Sequence, residues 1–146
     1  MKEQKESKGT VLVVDDDEAV LVLIQNILTA AEYRVLLAAD REGALRMARQ
    51  KHIRIDLALL DVRIPGVSGS ELSDEIQSIR PNIRVLWMSG FVDAEFVRVK
   101  MIGTFAGFLS KPTHHTDLLA AVRMALEGFP LVERAMTAGS QPFSTF

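Results

Sequence analysis

The chain contains no cysteine. Disulfide scaffolds, thiolate metal sites and cysteine nucleophiles are therefore excluded, and a reducing compartment is compatible. Aromatic residues are sparse, with one tryptophan and one tyrosine, and no long basic run accompanies them. Together with a formal net charge of −2, this argues against direct nucleic-acid binding. No stretch approaches the roughly 20 apolar residues of a membrane span. The opening MKEQKESKGT is polar throughout and lacks the apolar segment of a secretory signal. The expectation is a cytoplasmic chain with no membrane partner.

What is present fits one globular domain: 146 residues, 48% hydrophobic and 25% charged. Short apolar or β-branched runs recur at 10–14, 34–38, 55–60, 83–88 and 105–109. Their hydrophobicity is continuous rather than alternating, which suits strands buried on both faces of a parallel sheet. Between them lie segments of helical period. The clearest carry Val20, Leu23, Ile24, Ile27, Leu28 and Ala31, then Leu72, Ile76 and Ile79, then Leu118, Leu119, Val122, Ala125 and Leu126. Weaker helical patterns fall at 41–51 and 93–102. Asp40, Ser68, Asp93 and Thr116 stand where N-caps belong, and Gly103 and Gly128 where helices should stop. The pattern predicts α/β architecture: a flavodoxin-like (βα)5 doubly wound five-stranded parallel sheet of order 2-1-3-4-5. Residues 1–9 are expected to be a disordered lead-in, 10–128 the folded domain and 129–146 a C-terminal tail or linker.

In such a sheet ligands bind at the carboxyl ends of the strands. Every unusual polar residue falls there: Asp15, Asp16 and Asp17 after the first strand, Asp61 after the third, Ser89 after the fourth and Lys111 after the fifth. Crowded carboxylates repel by roughly 4 kcal/mol per pair about 4 Å apart at an effective dielectric near 20. A cation offsets that cost. Magnesium prefers oxygen ligands and commonly uses one or two carboxylates with phosphate oxygens and water. A carboxylate can also be the nucleophile toward phosphorus, with a lysine ammonium and a hydroxyl neutralising and positioning the phosphoryl group. Asp61, Lys111 and Ser89 match those roles.

Four segments, VVDDD, LLDVRIPGVSG, VLWMSG and GFLSKP, stand in order at successive strand ends. The combination resembles the receiver domain of two-component response regulators, over about residues 9–128. The resemblance implies that Asp61 is the phosphoacceptor and that Mg2+ (or Mn2+) is held by Asp16, Asp61 and the backbone carbonyl of Arg63, with Asp15 acting mainly through metal-bound water. It further implies that Ser89 and Lys111 contact the phosphoryl oxygens. The aromatic switch position, often tyrosine, is Phe108, paired in that role with Ser89. The implied partners are a sensor histidine kinase or histidine phosphotransfer protein as donor and a downstream protein as output. A homodimer through the 93–102 helix, the fifth strand and the last helix is a family option. Arg63 and Phe91, two residues beyond Asp61 and Ser89, are bulky here, and in this family such positions influence how readily water reaches the acyl phosphate.

Two other functions compete. A docking module that no longer uses phosphorylation would not need the full set of acids, hydroxyl and lysine. A haloacid-dehalogenase-type phosphatase would use Asp15 and Asp17 but leave Asp61 without a role. Asp17 is expected to cap the next helix, while His52, His114 and His115 read as exposed loop residues rather than ligands. The expectation is therefore a signalling receiver, not an enzyme in its own right.

Overall fold

The computed structural model describes residues 7–89, 107–110 and 114–127. Five strands form one parallel sheet: β1 (Thr10–Val14), β2 (Arg34–Ala38), β3 (Leu57–Asp61), β6 (Arg84–Ser89) and β7 (Gly107–Ser110), in the order β2-β1-β3-β6-β7. Counting sheet strands alone, this is the expected 2-1-3-4-5 order. A two-stranded antiparallel ribbon, β4 (Arg63–Ile64) with β5 (Val67–Ser68), projects after β3. Pro65 and Gly66 close it, Gly66 at φ +85°. Proline followed by a positive-φ glycine is the chemistry of a type II turn.

Four helices are described: α1 (Glu18–Ala30), α2 (Arg41–Ala48), α3 (Gly69–Ile79) and α4 (His115–Glu127). Successive strand residues point to opposite faces, and the core divides accordingly. Leu12, Val14, Ala58, Leu60, Val85 and Trp87 pack with Leu45 of α2 and Leu72 and Ile76 of α3. Val11, Val13, Leu57, Leu59, Leu86 and Met88 pack with Leu21, Ile24 and Leu28 of α1 and Leu118 and Val122 of α4. The result is three layers, with β1, β3 and β6 sandwiched between the helix pairs.

Some boundaries depart from the expected ones. The second helix ends at Ala48 rather than 51, and Arg80, reaching across from the end of α3, donates to the carbonyls of Ala48 (2.8 Å) and Gln50 (2.7 Å). Thr116 is not an N-cap; α4 already includes His115. Asp40 and Ser68 do cap, Asp40 accepting from the Gly43 amide and Ser68 forming a reciprocal box with Glu71. Asp93, Gly103, Gly128 and the expected 93–102 helix lie outside the described residues.

Candidate functional site at the carboxyl edge of the sheet

The acidic run after β1 is divided among three environments. Asp15 is fully buried, its amide bonded to the Ala38 carbonyl (3.1 Å) at the end of β2. Its Oδ1 accepts the Asp17 amide at 2.9 Å. That turn rotates Asp17 into the N-cap position, where its own Oδ1 accepts from the Ala19 amide at 3.0 Å. Asp16, between them, is exposed. So one acid is buried, one is exposed, and the third starts a helix.

Asp61 arrives from the neighbouring strand. Val14 and Leu60 are register partners in β1 and β3, so the residues that follow them emerge side by side. On its other side Asp61 pairs with Met88 of β6. The Val62 amide bonds the Met88 carbonyl (2.8 Å), and the Arg63 amide donates to Asp61 Oδ1 at 3.1 Å. These contacts fix the carboxylate before the chain turns into the β4–β5 ribbon. Asp61 is 5% exposed, enough to meet a ligand at the edge while shielded from bulk solvent on its flanks.

Asp15, Asp16 and Asp61 place one carboxylate oxygen each within 4.8 Å of one another. Two oxygens on a magnesium ion with bonds near 2.1 Å lie about 3 Å apart when adjacent and about 4.2 Å apart when opposite. The donor set is all hard oxygen, with neither thiolate nor imidazole, and its span approaches those separations. It fits Mg2+ or Mn2+ and is a poor match for zinc.

The remaining expected residues divide by location. Ser89 is the last residue of β6, one step beyond the Met88 that pairs with Asp61, and is itself in register with Ser110. Phe108 lies in β7 opposite Trp87. Arg63 opens β4 with an exposed side chain. Lys111 and Phe91 lie outside the described residues. His52, His114 and His115 are exposed, in agreement with their reading as solvated, but His115 is the first residue of α4 rather than a loop residue. The ribbon that carries Arg63 was not anticipated; Pro65-Gly66 flanked by Ile64 and Val67 was its signal.

A doubly wound parallel sheet with an acidic cluster at its carboxyl edge is the arrangement that the resemblance to receiver domains implies. The comparisons agree. The family model for the response regulator receiver domain matches residues 11–123, and the chain belongs to that family. A putative two-component response regulator, ARR21 of Arabidopsis thaliana, is 34% identical over 119 residues, covering 82% of this chain and 19% of that protein. Sporulation initiation phosphotransferase F of Bacillus subtilis is 30% identical over 117 residues, 80% of this chain and 92% of that protein. A receiver domain structure from Clostridium thermocellum superposes with a TM-score of 0.75 at 28% identity, over 82% of this chain and 94% of that one. This chain thus spans about a fifth of one relative and nearly all of another.

The protein is accordingly a receiver domain of two-component systems, a signalling module. Domains of this kind bind Mg2+ at an aspartate cluster and interact with histidine kinases or phosphotransfer proteins. Among the described residues no helix is long and apolar enough to cross a membrane.

Proposed function

We propose that the domain, extending over residues 10–128, takes a phosphoryl group on Asp61 from a histidine kinase or phosphotransfer protein and thereby switches its affinity for a downstream protein. The observation that carries this reading is the convergence of Asp15, Asp16 and Asp61 at one edge. Asp61 is the last residue of the central strand β3, and its carboxylate accepts the Arg63 amide of the turn that follows.

In the transfer, an Asp61 carboxylate oxygen bonds to phosphorus as the phosphorus–nitrogen bond of the donor phosphohistidine breaks, and the imidazole leaves with the bonding electron pair. Asp15, Asp16 and Asp61, with the Arg63 backbone carbonyl, would hold the divalent cation, which supplies neutralising charge to the phosphoryl oxygens. The Arg63 amide orients Asp61 throughout. Ser89 and Lys111 take the phosphoryl oxygens in this reading, with Phe108 the aromatic partner of the Ser89 switch. Phosphorylation adds nearly two negative charges at an already acidic edge, and the redistribution of hydrogen bonds biases a two-state equilibrium that a partner reads. Bulky Arg63 and Phe91 restrict water at the acyl phosphate, giving slow self-dephosphorylation. A homodimer through the 93–102 segment, β7 and α4 belongs to the same reading, as does a cytoplasmic setting.

Intact-protein mass after incubation with Mg2+ and a small acyl phosphate tests it. One phosphoryl adduct per chain that disappears in Asp61→Asn is expected. An adduct that survives the substitution, or none on folded, magnesium-binding protein, would refute the assignment.

A further inference from the structure

At the opposite edge of the sheet, where the strands begin, the loops after α2 and α3 enclose an open cavity of about 480 Å³. Lys51, Arg54, Arg80 and Arg84 line it, and Asp56 is the one acid among its walls. This is a concentration of positive charge: four cations against one carboxylate, in a chain whose formal net charge is −2.

Two of these cations have structural roles. Arg80 holds the last carbonyl of α2, that of Ala48, and the Gln50 carbonyl just beyond it, as a cation at a helix C-terminus should. Arg54 donates from Nε to Asp56 Oδ1 at 2.8 Å, while Asp56 Oδ2 accepts the Thr10 amide at 2.9 Å. Lys51 and Arg84 are different. Both are exposed, and neither makes an ion pair with another described residue. Neither is needed to satisfy a buried group, yet both face the same hollow. Its volume falls within the range of small-molecule sites, which combine apolar walls with a few convergent polar groups. Ile79, Pro81 and Leu126 supply the apolar walls.

We propose that this cavity binds a small organic phosphate of nucleotide size, its phosphates on Lys51 and Arg84 and its apolar body against Ile79, Pro81 and Leu126. Phosphate rather than carboxylate is favoured because several cations converge on one hollow, and guanidinium and ammonium groups together match a polyanion's oxygens. A wall that carries both charge and apolar surface favours an organic phosphate over a simple inorganic one. Arg80, already held on the carbonyls of Ala48 and Gln50, adds field without further ordering cost. The site is independent of Asp61 and of the phosphorylation reading.

Isothermal titration with ATP in magnesium-free, low-salt buffer tests it, using the full chain, the Lys51→Ala/Arg84→Ala double variant and tripolyphosphate as a second probe. The expected result is saturable binding of one ATP per chain, about tenfold weaker in the double variant and unchanged in Asp61→Asn. ATP should bind more tightly than tripolyphosphate. The proposal is overturned by lack of saturation up to about 10 mM ATP, by equal affinity in the double variant, or by tripolyphosphate binding as tightly as ATP. Both substituted side chains are exposed, so the variant's fold, checked by circular dichroism, should match the parent.

Discussion

Glu32 stands in the left-handed conformation, φ 77°, directly before the buried Tyr33. The two residues complete the end of α1: the Glu32 amide bonds the Thr29 carbonyl (2.9 Å) and the Tyr33 amide bonds the Leu28 carbonyl (3.0 Å). This double closure, with Tyr33 and Leu28 packed in one cluster, is the Schellman arrangement, which normally places glycine where Glu32 sits. A residue with a Cβ pays about 1 to 2 kcal/mol for that conformation, against roughly 0.5 to 1 kcal/mol of extra backbone entropy lost by glycine. Glu32→Gly should therefore stabilise the domain by about 0.5 to 1 kcal/mol, and Glu32→Val should destabilise it by about 1 kcal/mol. Urea titration followed by the fluorescence of Trp87, the sole tryptophan and 2% exposed, measures both; the same midpoint for the two variants would contradict the strain.

Arg80 joins the ends of two helices, and its loss should be felt in both. Arg80→Met keeps much of the apolar stem but leaves the Ala48 and Gln50 carbonyls without their charged donor. Hydrogen bonds from charged groups contribute about 1.5 to 3 kcal/mol, and water can reach this partly exposed site. A loss of about 1 to 2 kcal/mol in global stability is expected, with faster amide hydrogen exchange in the last turn of α2. Unchanged exchange there would show that the turn is held by other contacts.

Glu75 of α3 and Arg41 at the start of α2 form a two-pronged pair, with Arg41 Nε donating to Glu75 Oε1 at 2.9 Å. Hydrogen bonding from Arg41 and its charge hold the Glu75 carboxyl below the ordinary glutamate range, against a smaller opposing effect of desolvation. A folded-state value below the unfolded one means stability that is fully present above the unfolded value and lost as pH falls through the folded one. The stability gap between wild type and Glu75→Gln should thus be open at neutral pH and close in the acid range below ordinary glutamate titration. Both side chains are more than a third exposed, so the gap should be small and should shrink in high salt. Denaturant titrations of both proteins across that range check the sign; a gap that widens on acidification would contradict it.

The sheet was legible because its inner strands β1, β3 and β6 are buried on both faces. VLVV, LALL and VLWM leave no alternation to misread, and the observed order is the one they implied. Asp15 and Asp61 were legible for a related reason: acids that follow uninterrupted apolar strands must emerge at the sheet edge, where the register of β1 on β3 sets them side by side. Less local features were hidden. The end of α1 uses glutamate in place of glycine, so composition gives no stop signal at Glu32. The end of α2 is met by Arg80, more than 30 residues away. The basic cavity was missed because Lys51 and Arg54 lie in the segment before β3 whereas Arg80 and Arg84 lie between the end of α3 and the start of β6, two stretches that only the fold brings together. The chemical roles given to Ser89, Lys111 and Phe108 continue to rest on their motif positions.

If Asp15, Asp16 and Asp61 cradle a cation, magnesium should stabilise the folded state, since the close-packed carboxylates exist only there. At a concentration tenfold above its dissociation constant the gain is about 1.4 kcal/mol, worth a few degrees in Tm for a domain of this size. Asp61→Asn and Asp16→Asn should each reduce the shift sharply, because a neutral amide oxygen is a weaker ligand than a carboxylate. Scanning calorimetry with and without Mg2+ reads this. An equal shift in wild type and both variants would place the ion elsewhere.

Arg63 separates two functions within one residue. Its amide holds Asp61 Oδ1 at 3.1 Å, whereas its side chain lies on the exposed start of β4, two residues beyond Asp61. Arg63→Ala keeps the amide, so the orientation of Asp61 and its capacity to accept a phosphoryl group should persist. The side chain is the part that would impede a water molecule approaching the acyl phosphate from outside. Its removal is expected to shorten the phosphoryl lifetime by about tenfold, equivalent to lowering the hydrolytic barrier by about 1.4 kcal/mol, with the extent of labelling at saturating donor unchanged. Decay of the adduct followed by intact mass after donor removal separates the two effects. A lifetime in Arg63→Ala equal to or longer than wild type would mean that water enters by a path the arginine does not guard, and would leave Phe91 as the remaining candidate for that barrier.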